Sequence, residues 1–514
     1  MLSKVYTAAL DGIESYPVTV ETDLSRGLPA LYTVGLPSTT IREAKERVRS
    51  AVLNSGYDFP VKRITINLAP ASARKEGSHF DLPIAVGILT SDGLVPPSAL
   101  ESIGFFGELS LSGQLEAVKG ALPLAIGLQK AGIKKLILPE GNAQEVCMLS
   151  GVEILAAGSL REVALHLRNE KRLPIYNNVR KRRKAAAAPD FSEVRGQLSA
   201  KRAAMIAAAG DHGLLLLGAP GTGKTMIAER IPTIMHALTE QEKQELTVIY
   251  SVAGLLTENL PMIELRPFRA PHHAVTEAAM FGGGRIPKPG ELSLAHRGIL
   301  FLDEFPEFDR KIIERLRRPL ETGVIPVDRE MGRVIFPASF LLVAAGNPCR
   351  CGYFGDSAHV CTCSGSELRS YQNRLSGPIA DRMDLQVFME KPSSDALFYK
   401  GNQAAQQAQD SSENMRRCVE EARRIQQKRY CTENSLLTNG KLIGAQIEKY
   451  CALDERGEKM IRMAYEKLGL SARACTKVRK IARTIADLAG EEQIRAEHAA
   501  EALQYRVVDR LYGR

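Results

Sequence analysis

The chain has 514 residues, too many for one hydrophobic core and enough for roughly three domains. Its 44% hydrophobic and 25% charged residues describe an ordinary soluble protein, and no apolar run approaches the length of a membrane span. The net charge of +9 is small for this length; it favours a polyanionic partner such as nucleic acid without settling the matter.

The opening segment, MLSKVYTAALDGIESYP, lacks the apolar core of a signal peptide, so a cytoplasmic location is expected. Residues 1–168 then alternate strand-like and helix-like segments. Gly27–Val34 reads as a strand, Thr39–Gly56 as a helix ending at glycine, and Arg63–Leu68 as an alternating strand. Lys75–Ala85 opens another helix, and Gly107–Gly113 and Lys134–Pro139 complete an α/β unit. This region resembles the fold shared by ribosomal protein S5 domain 2 and the Lon protease domain. KEGSHFDLPIA sits where a Lon protease carries its nucleophilic serine, and GELSLSGQLEAVKGALPLA where it carries the paired lysine. His79 occupies the approximate nucleophile position, and Leu122 or Pro123 that of the lysine. A Ser–Lys pair needs both groups within hydrogen-bond reach. Ser78 and Lys119 are near in sequence but off register, so a non-proteolytic scaffold is expected.

Residues 169–189 change character, with the cationic run Arg180–Lys184 followed by four alanines and a proline. Such a run is a solvated linker or a contact to a phosphate backbone. Asp190–Gln197 begins a segment similar to the one that cups adenine in AAA+ proteins. The apolar run Leu214–Leu217, a buried parallel strand, leads into Gly218-Ala219-Pro220-Gly221-Thr222-Gly223-Lys224-Thr225, a complete phosphate-binding loop. Glycines let backbone N–H groups curl round phosphates, Lys224 reaches the β and γ oxygens, and Thr225 is a ligand for Mg²⁺. ATP and Mg²⁺ are the expected cofactors.

A long insertion follows, Pro267–Arg269 through His272, His273 and Phe281–Arg285 to Glu291; its length marks a functional surface or pore loop, and adjacent histidines make a poor metal pair. Gly298–Glu304 is an apolar strand ending in two carboxylates, as a Walker B element requires: Asp303 for Mg²⁺, Glu304 to polarise the attacking water. Gly323–Arg329 and Gly332–Phe336 form a hairpin, with Arg329 and Arg333 near a tip that is either solvated or laid against a phosphate backbone. Phe340–Asn347 is a buried strand ending where a γ-phosphate sensor belongs, which makes Asn347 the partner of Glu304 in orienting water. Cys349, Cys351, Cys361 and Cys363, four of the nine cysteines, follow on one loop; they suit a structural Zn²⁺ or stay reduced thiols. Leu375–Asp384 resembles the segment that supplies an arginine finger in trans, with Arg382 as the finger and Arg374 as its rival. Residues 391–413 read as a Gln/Ala/Ser-rich linker, and 414–514 as helical. Asn414 is placed to cap a helix bearing Met415, Val419, Ala422 and Ile425 on one face. Leu470–Leu488 is basic and amphipathic, and its Arg473 sits where an AAA+ lid places a second sensor arginine on the nucleotide.

The phosphate loop, the insertion, LDE, the hairpin, NPCRCGYFG, LSGPIADRMDL and LSARACTKVRKIARTIADLAG together resemble the magnesium-chelatase-like AAA+ group called YifB or ComM, over essentially the whole chain. The resemblance implies a multidomain α/β protein: a Lon/S5-like domain (1–168), an AAA+ core of parallel sheet and flanking helices (190–390), and a helical lid (414–514). It also implies a ring-forming homo-oligomer, hexameric, with ATP bound between subunits, and DNA, single-stranded or branched, as the partner in branch migration. Three other readings stay open: a chelatase motor subunit, a Lon-like ATP-dependent protease, and a non-catalytic nucleotide switch.

Overall fold

The computed structural model describes residues 2–176, 189–257, 259–284, 287–329, 332–356, 359–375, 382–391, 410–431, 433 and 437–506. The run Arg180–Lys184, Arg285 and most of the segment 391–413 lie outside them.

The N-terminal unit is built on an antiparallel hairpin, Leu2–Asp11 and Glu14–Ser25, whose ends meet with Asp11 opposite Glu14. The two-residue turn between them needs left-handed backbone, which Gly12 supplies at φ +69°. The hairpin lies at the centre of a mixed seven-stranded sheet, ordered Ala30–Val34, Arg63–Ala69, Glu14–Ser25, Leu2–Asp11, Ile103–Phe105, Lys135–Pro139 and Glu153–Ala157. Helix Asp81–Ser91 is buried at every residue, so it carries no polar stripe and reads as a core segment rather than an amphipathic one. Helix Thr39–Asn54 starts where the Ser38 hydroxyl accepts the backbone N–H of Ile41.

The second sheet has five parallel strands, ordered Phe268–Arg269, Ile299–Leu302, Leu341–Gly346, Leu214–Gly218 and Leu385–Met389. Residues 214–218, 299–302 and 341–346 are buried throughout, the unbroken apolar pattern of strands covered on both faces. Because the three central strands run the same way, Gly218, Asp303 and Asn347 emerge together at their carboxyl ends, the edge where open α/β sheets bind ligands.

Helices Ser412–Tyr430, Glu455–Leu468, Ala472–Leu488 and Ala496–Gln504 follow. The first is capped by Ser411, whose hydroxyl accepts from the Asn414 N–H; Asn414 itself lies within the first turn rather than at the cap. The buried face runs through Met415, Val419 and Ala422 but continues to Gln426 and Tyr430, leaving Ile425 half-buried. Val419, Ala422, Val478 and Ile481 share one apolar core with Leu214, Leu216 and Ile227, so these helices and the parallel sheet are packed as one body. A buried polar knot reinforces it. Asp487 accepts from both terminal nitrogens of Arg429 at 3.0 and 2.6 Å, from Arg483 at 3.1 Å and from Asn439 at 2.8 Å.

The N-terminal unit meets the rest at helix Glu240–Ala253. Val248 joins the core around Leu124, the Gly120 N–H donates to the Ser251 carbonyl at 3.0 Å, and the Lys119 stem covers Gly254. Among the described residues, no helix is long and apolar enough to cross a membrane.

Candidate nucleotide site

The phosphate loop connects strand Leu214–Gly218 to helix Lys224–Ile234. Gly221 and Gly223 sit at φ +79° and +90°, and it is this left-handed backbone that turns successive N–H groups inward. The Lys224 ammonium donates to the Gly218 and Ala219 carbonyls at 2.7 and 2.9 Å and to Asn347 Oδ1 at 3.3 Å. Burial lowers its pKa from the ordinary lysine value, against the opposing pull of Asp303. A half-buried cation resting on carbonyl oxygens is a group whose preferred partner is an anion.

The Thr225 hydroxyl donates to Asp303 at 3.0 Å, so the two groups predicted for Mg²⁺ already share one point in space. Asp303 also accepts the backbone N–H of Glu304 at 2.9 Å. Glu304 holds φ +49°, an uncommon conformation for a residue with a side chain, and one found at functional turns. Its carboxylate lies 3.2 Å from His273 Nδ1. The histidine pair of the insertion therefore splits its roles: His272 stacks on its neighbour at 4.1 Å between ring centres, and His273 engages Glu304. No signal beyond the pair itself pointed to that contact. The insertion is anchored by Arg269, which pairs with both oxygens of Glu291 at 2.7 Å.

A cavity of about 250 Å³ opens over these groups, lined by Lys224, Asp303, Glu304, Glu307, Gly346, Asn347, Arg350 and Tyr371. Five of them answer to the motif reading; Arg350, Tyr371 and Glu307 do not. Arg350 was hidden as the spacer of a C-x-C pair.

Arg382 and Arg473 line a different cavity, of about 590 Å³, with Asp384, Lys477 and Lys480. Arg473 therefore does not reach from the C-terminal helices to the nucleotide cavity of its own chain, and Arg382 pairs with Glu321. In the second cavity burial opposes ionisation of Asp384, yet Lys477 at 3.1 Å and His212 at 3.0 Å hold its carboxyl well below the ordinary range. The Arg374 and Arg329 side chains, like residues 376–381, lie outside the described set. Arg333 is ion-paired across its hairpin with Asp328 at 2.7 Å.

The four cysteines gather beyond Asn347, with all Sγ atoms within 4.8 Å of one another. In the N-terminal unit, Ser78 donates to Glu108 while Lys119 lies along Gly254, so the two engage separate partners. His79 is buried against the Ala8 carbonyl at 3.0 Å, and burial pushes its pKa down to about 4. Leu122 and Pro123 are buried within helix Ala121–Lys130.

Comparison with known proteins finds matches along most of the chain. The profile described as magnesium chelatase, subunit ChlI, matches residues 190–397. Subunit ChlI of Mg-chelatase matches 20–142, and the ChlI C-terminal profile matches 409–506. Competence protein ComM of Haemophilus influenzae is 42% identical over 99% of this chain and 98% of its own. The YifB protein of Salmonella typhimurium is 41% identical over 99% and 98%. The magnesium-chelatase 38 kDa subunit of Rhodobacter capsulatus is 28% identical over 31% of this chain and 50% of its own.

Proposed function

Because the chain belongs to the magnesium-chelatase-like family of ComM and YifB, an AAA+ family, we propose that it is a ring-forming ATPase that turns ATP hydrolysis into movement on single-stranded or branched DNA. The observation that carries the ATPase reading is the convergence of Lys224, Thr225, Asp303, Glu304 and Asn347 on one sheet edge. Lys224 and the loop N–H groups bind the phosphates. Thr225 and Asp303 would hold Mg²⁺, which would supply neutralisation of the phosphate charge. Glu304 accepts the proton of the attacking water, and Asn347 orients that water.

The ring reading rests on where two further arginines lie. Arg382 and Arg473 face a separate cavity, and a neighbouring copy is the simplest way to bring guanidinium groups to the γ-phosphate. On this reading 190–390 is the motor core, 414–514 its lid, and 169–189 and 391–413 are linkers. Residues 1–168 are a Lon/S5-like scaffold without proteolytic chemistry, since Ser78 and Lys119 are held by different partners. The DNA partner is supported by the +9 charge and by the competence name of a relative similar over its full length. It is also what the family resemblance implies, with branch migration as the task. The ChlI matches keep one alternative alive, a motor that drives metal insertion through other subunits.

Phosphate release by the purified protein, with and without single-stranded or four-way DNA, tests the proposal beside Lys224→Ala and Glu304→Gln. Stimulation by DNA that both substitutions abolish supports it. Hydrolysis indifferent to every DNA removes the DNA motor and points to a protein partner.

A further inference from the structure

The cysteine loop has a geometry of its own. Cys349 Sγ lies 3.2 Å from Cys351 Sγ and 3.7 Å from Cys361 Sγ, and the last two are 3.5 Å apart. With Zn–S bonds of about 2.3 Å, the edge of a ZnS₄ tetrahedron is about 3.8 Å. Disulfide pairing would instead draw the sulfurs into two bonded couples at about 2.05 Å, whereas here each sulfur has several near neighbours and none is bonded. Two backbone N–H groups are also aimed at sulfur: Cys351 at Cys363 Sγ, 3.4 Å, and Phe354 at Cys349 Sγ, 3.3 Å. Four unbonded sulfurs gathered within 4.8 Å of one another frame a place for one ion, and an all-sulfur tetrahedral set selects zinc among the available divalent ions.

The knot is also fastened to the nucleotide site. Asn347 and Cys349 are separated only by Pro348, and Arg350, between two of the ligands, lines the cavity above Lys224. Gly352 turns the loop at φ +90° directly against the phosphate loop: a Cβ there would stand 2.9 Å from Pro220 Cδ. We propose that Cys349, Cys351, Cys361 and Cys363 bind one Zn²⁺, and that this ion is a positioning element that holds Asn347 and Arg350 over the phosphate loop. The second half rests on the ATPase reading; the first does not.

The full-length chain, purified under reducing conditions, would be assayed for metal by elemental analysis, and Co²⁺ would be exchanged into it. One zinc per chain and the intense visible bands of tetrahedral thiolate cobalt are expected whatever the protein's activity, so this arm stands even if the DNA reading fails. Iron at stoichiometric level, no metal with no cobalt uptake, or mass-spectrometric detection of two disulfides would overturn the metal assignment. For the positioning role, Cys361→Ser should lose zinc and lower kcat by about 10–100-fold, the usual effect of losing an ordering shell. Cys361→His, which retains a ligand, should keep zinc and most of the rate. Far-UV circular dichroism separates misfolding from displacement, and removal of zinc from the wild-type chain by a chelator should reproduce the Cys361→Ser rate. A zinc-free protein with undiminished kcat would overturn the positioning role.

Discussion

Arg382→Ala separates a structural arginine from a catalytic one by size of effect. Within its own chain Arg382 pairs with Glu321, whose side chain is 62% exposed. Exposed pairs of this kind contribute about 0–1 kcal/mol, at most roughly a fivefold change in any equilibrium. An arginine that meets the γ-phosphate in the transition state is worth about 10³–10⁵ in kcat. The substitution should therefore leave the binding of a fluorescent ATP analogue and the melting temperature nearly unchanged, and lower phosphate release at saturating ATP by at least about 10³-fold. Glu321→Ala, which breaks the same pair and keeps the guanidinium, should retain most of the rate. Mixing supplies the decisive arm. If Arg382 acts across a subunit boundary, an equal mixture of Arg382→Ala and Glu304→Gln chains rebuilds complete sites at about a quarter of the boundaries of a head-to-tail ring, and activity returns. If Arg382 served its own chain, no site in the mixture would be complete. A mixture as inactive as its components, with exchange of subunits verified, would refute the placement in trans.

Three further perturbations follow. Glu304→Gln should lower kcat by about 10²–10⁴-fold, the usual contribution of a general base, while ATP affinity holds; loss of binding instead would mean that Glu304 shapes the pocket rather than the chemistry. Asp487→Ala leaves Arg429 and Arg483 buried around a missing carboxylate, a change that costs about 3–5 kcal/mol. It should appear as a lower or separate calorimetric transition of the C-terminal helices, and an unshifted melting curve would contradict it. Glu145 is buried near Ser251 of helix Glu240–Ala253 and accepts a 2.8 Å bond from Asn142; burial raises its pKa from 4.5 to about 7, against the pull of Ser251 and Asn142. The folded state thus binds a proton that the unfolded state releases earlier. This contribution is full below pH 4.5 and is lost as pH rises to about 7, a difference of about 3 kcal/mol from the shift alone. Comparing Glu145→Gln with the parent in denaturant melts from pH 5 to pH 8 should show the variant gaining relative stability toward pH 8, and parallel curves would rule the titration out.

What could be read from sequence followed how local its cause was. The phosphate loop is legible because its glycines are demanded by backbone angles within eight consecutive residues. Strands 214–218, 299–302 and 341–346 are legible because burial on both faces makes them uniformly apolar. The hairpin that opens the chain was invisible for the opposite reason. Its buried positions include Ser3, Thr7, Ala8 and Ala9, small or polar residues whose burial only the sheet around them explains. Helix Asp81–Ser91 could be read only at its start, within Lys75–Ala85, because uniform burial leaves no period to mark its length. His273 and Arg350 join the site through loop paths that no spacing encodes.

Charge gives the deepest reason why the site could be read only by half. The cavity over Lys224 is lined by Asp303, Glu304 and Glu307 against Lys224 and Arg350, and an incoming triphosphate would deepen that negative balance. The cavity of Arg382 gathers Arg473, Lys477, Lys480 and Lys441 against Asp211, Glu321 and Asp384, an excess of positive charge with no phosphate to meet in its own chain. On the proposed ring, these two unlike surfaces of one chain would meet in a heterologous contact, and repetition of a heterologous contact closes a ring when its rotation allows. Local motifs mark both surfaces; on the proposed ring the pairing between them would belong to two chains, and no spacing along one of them can state it.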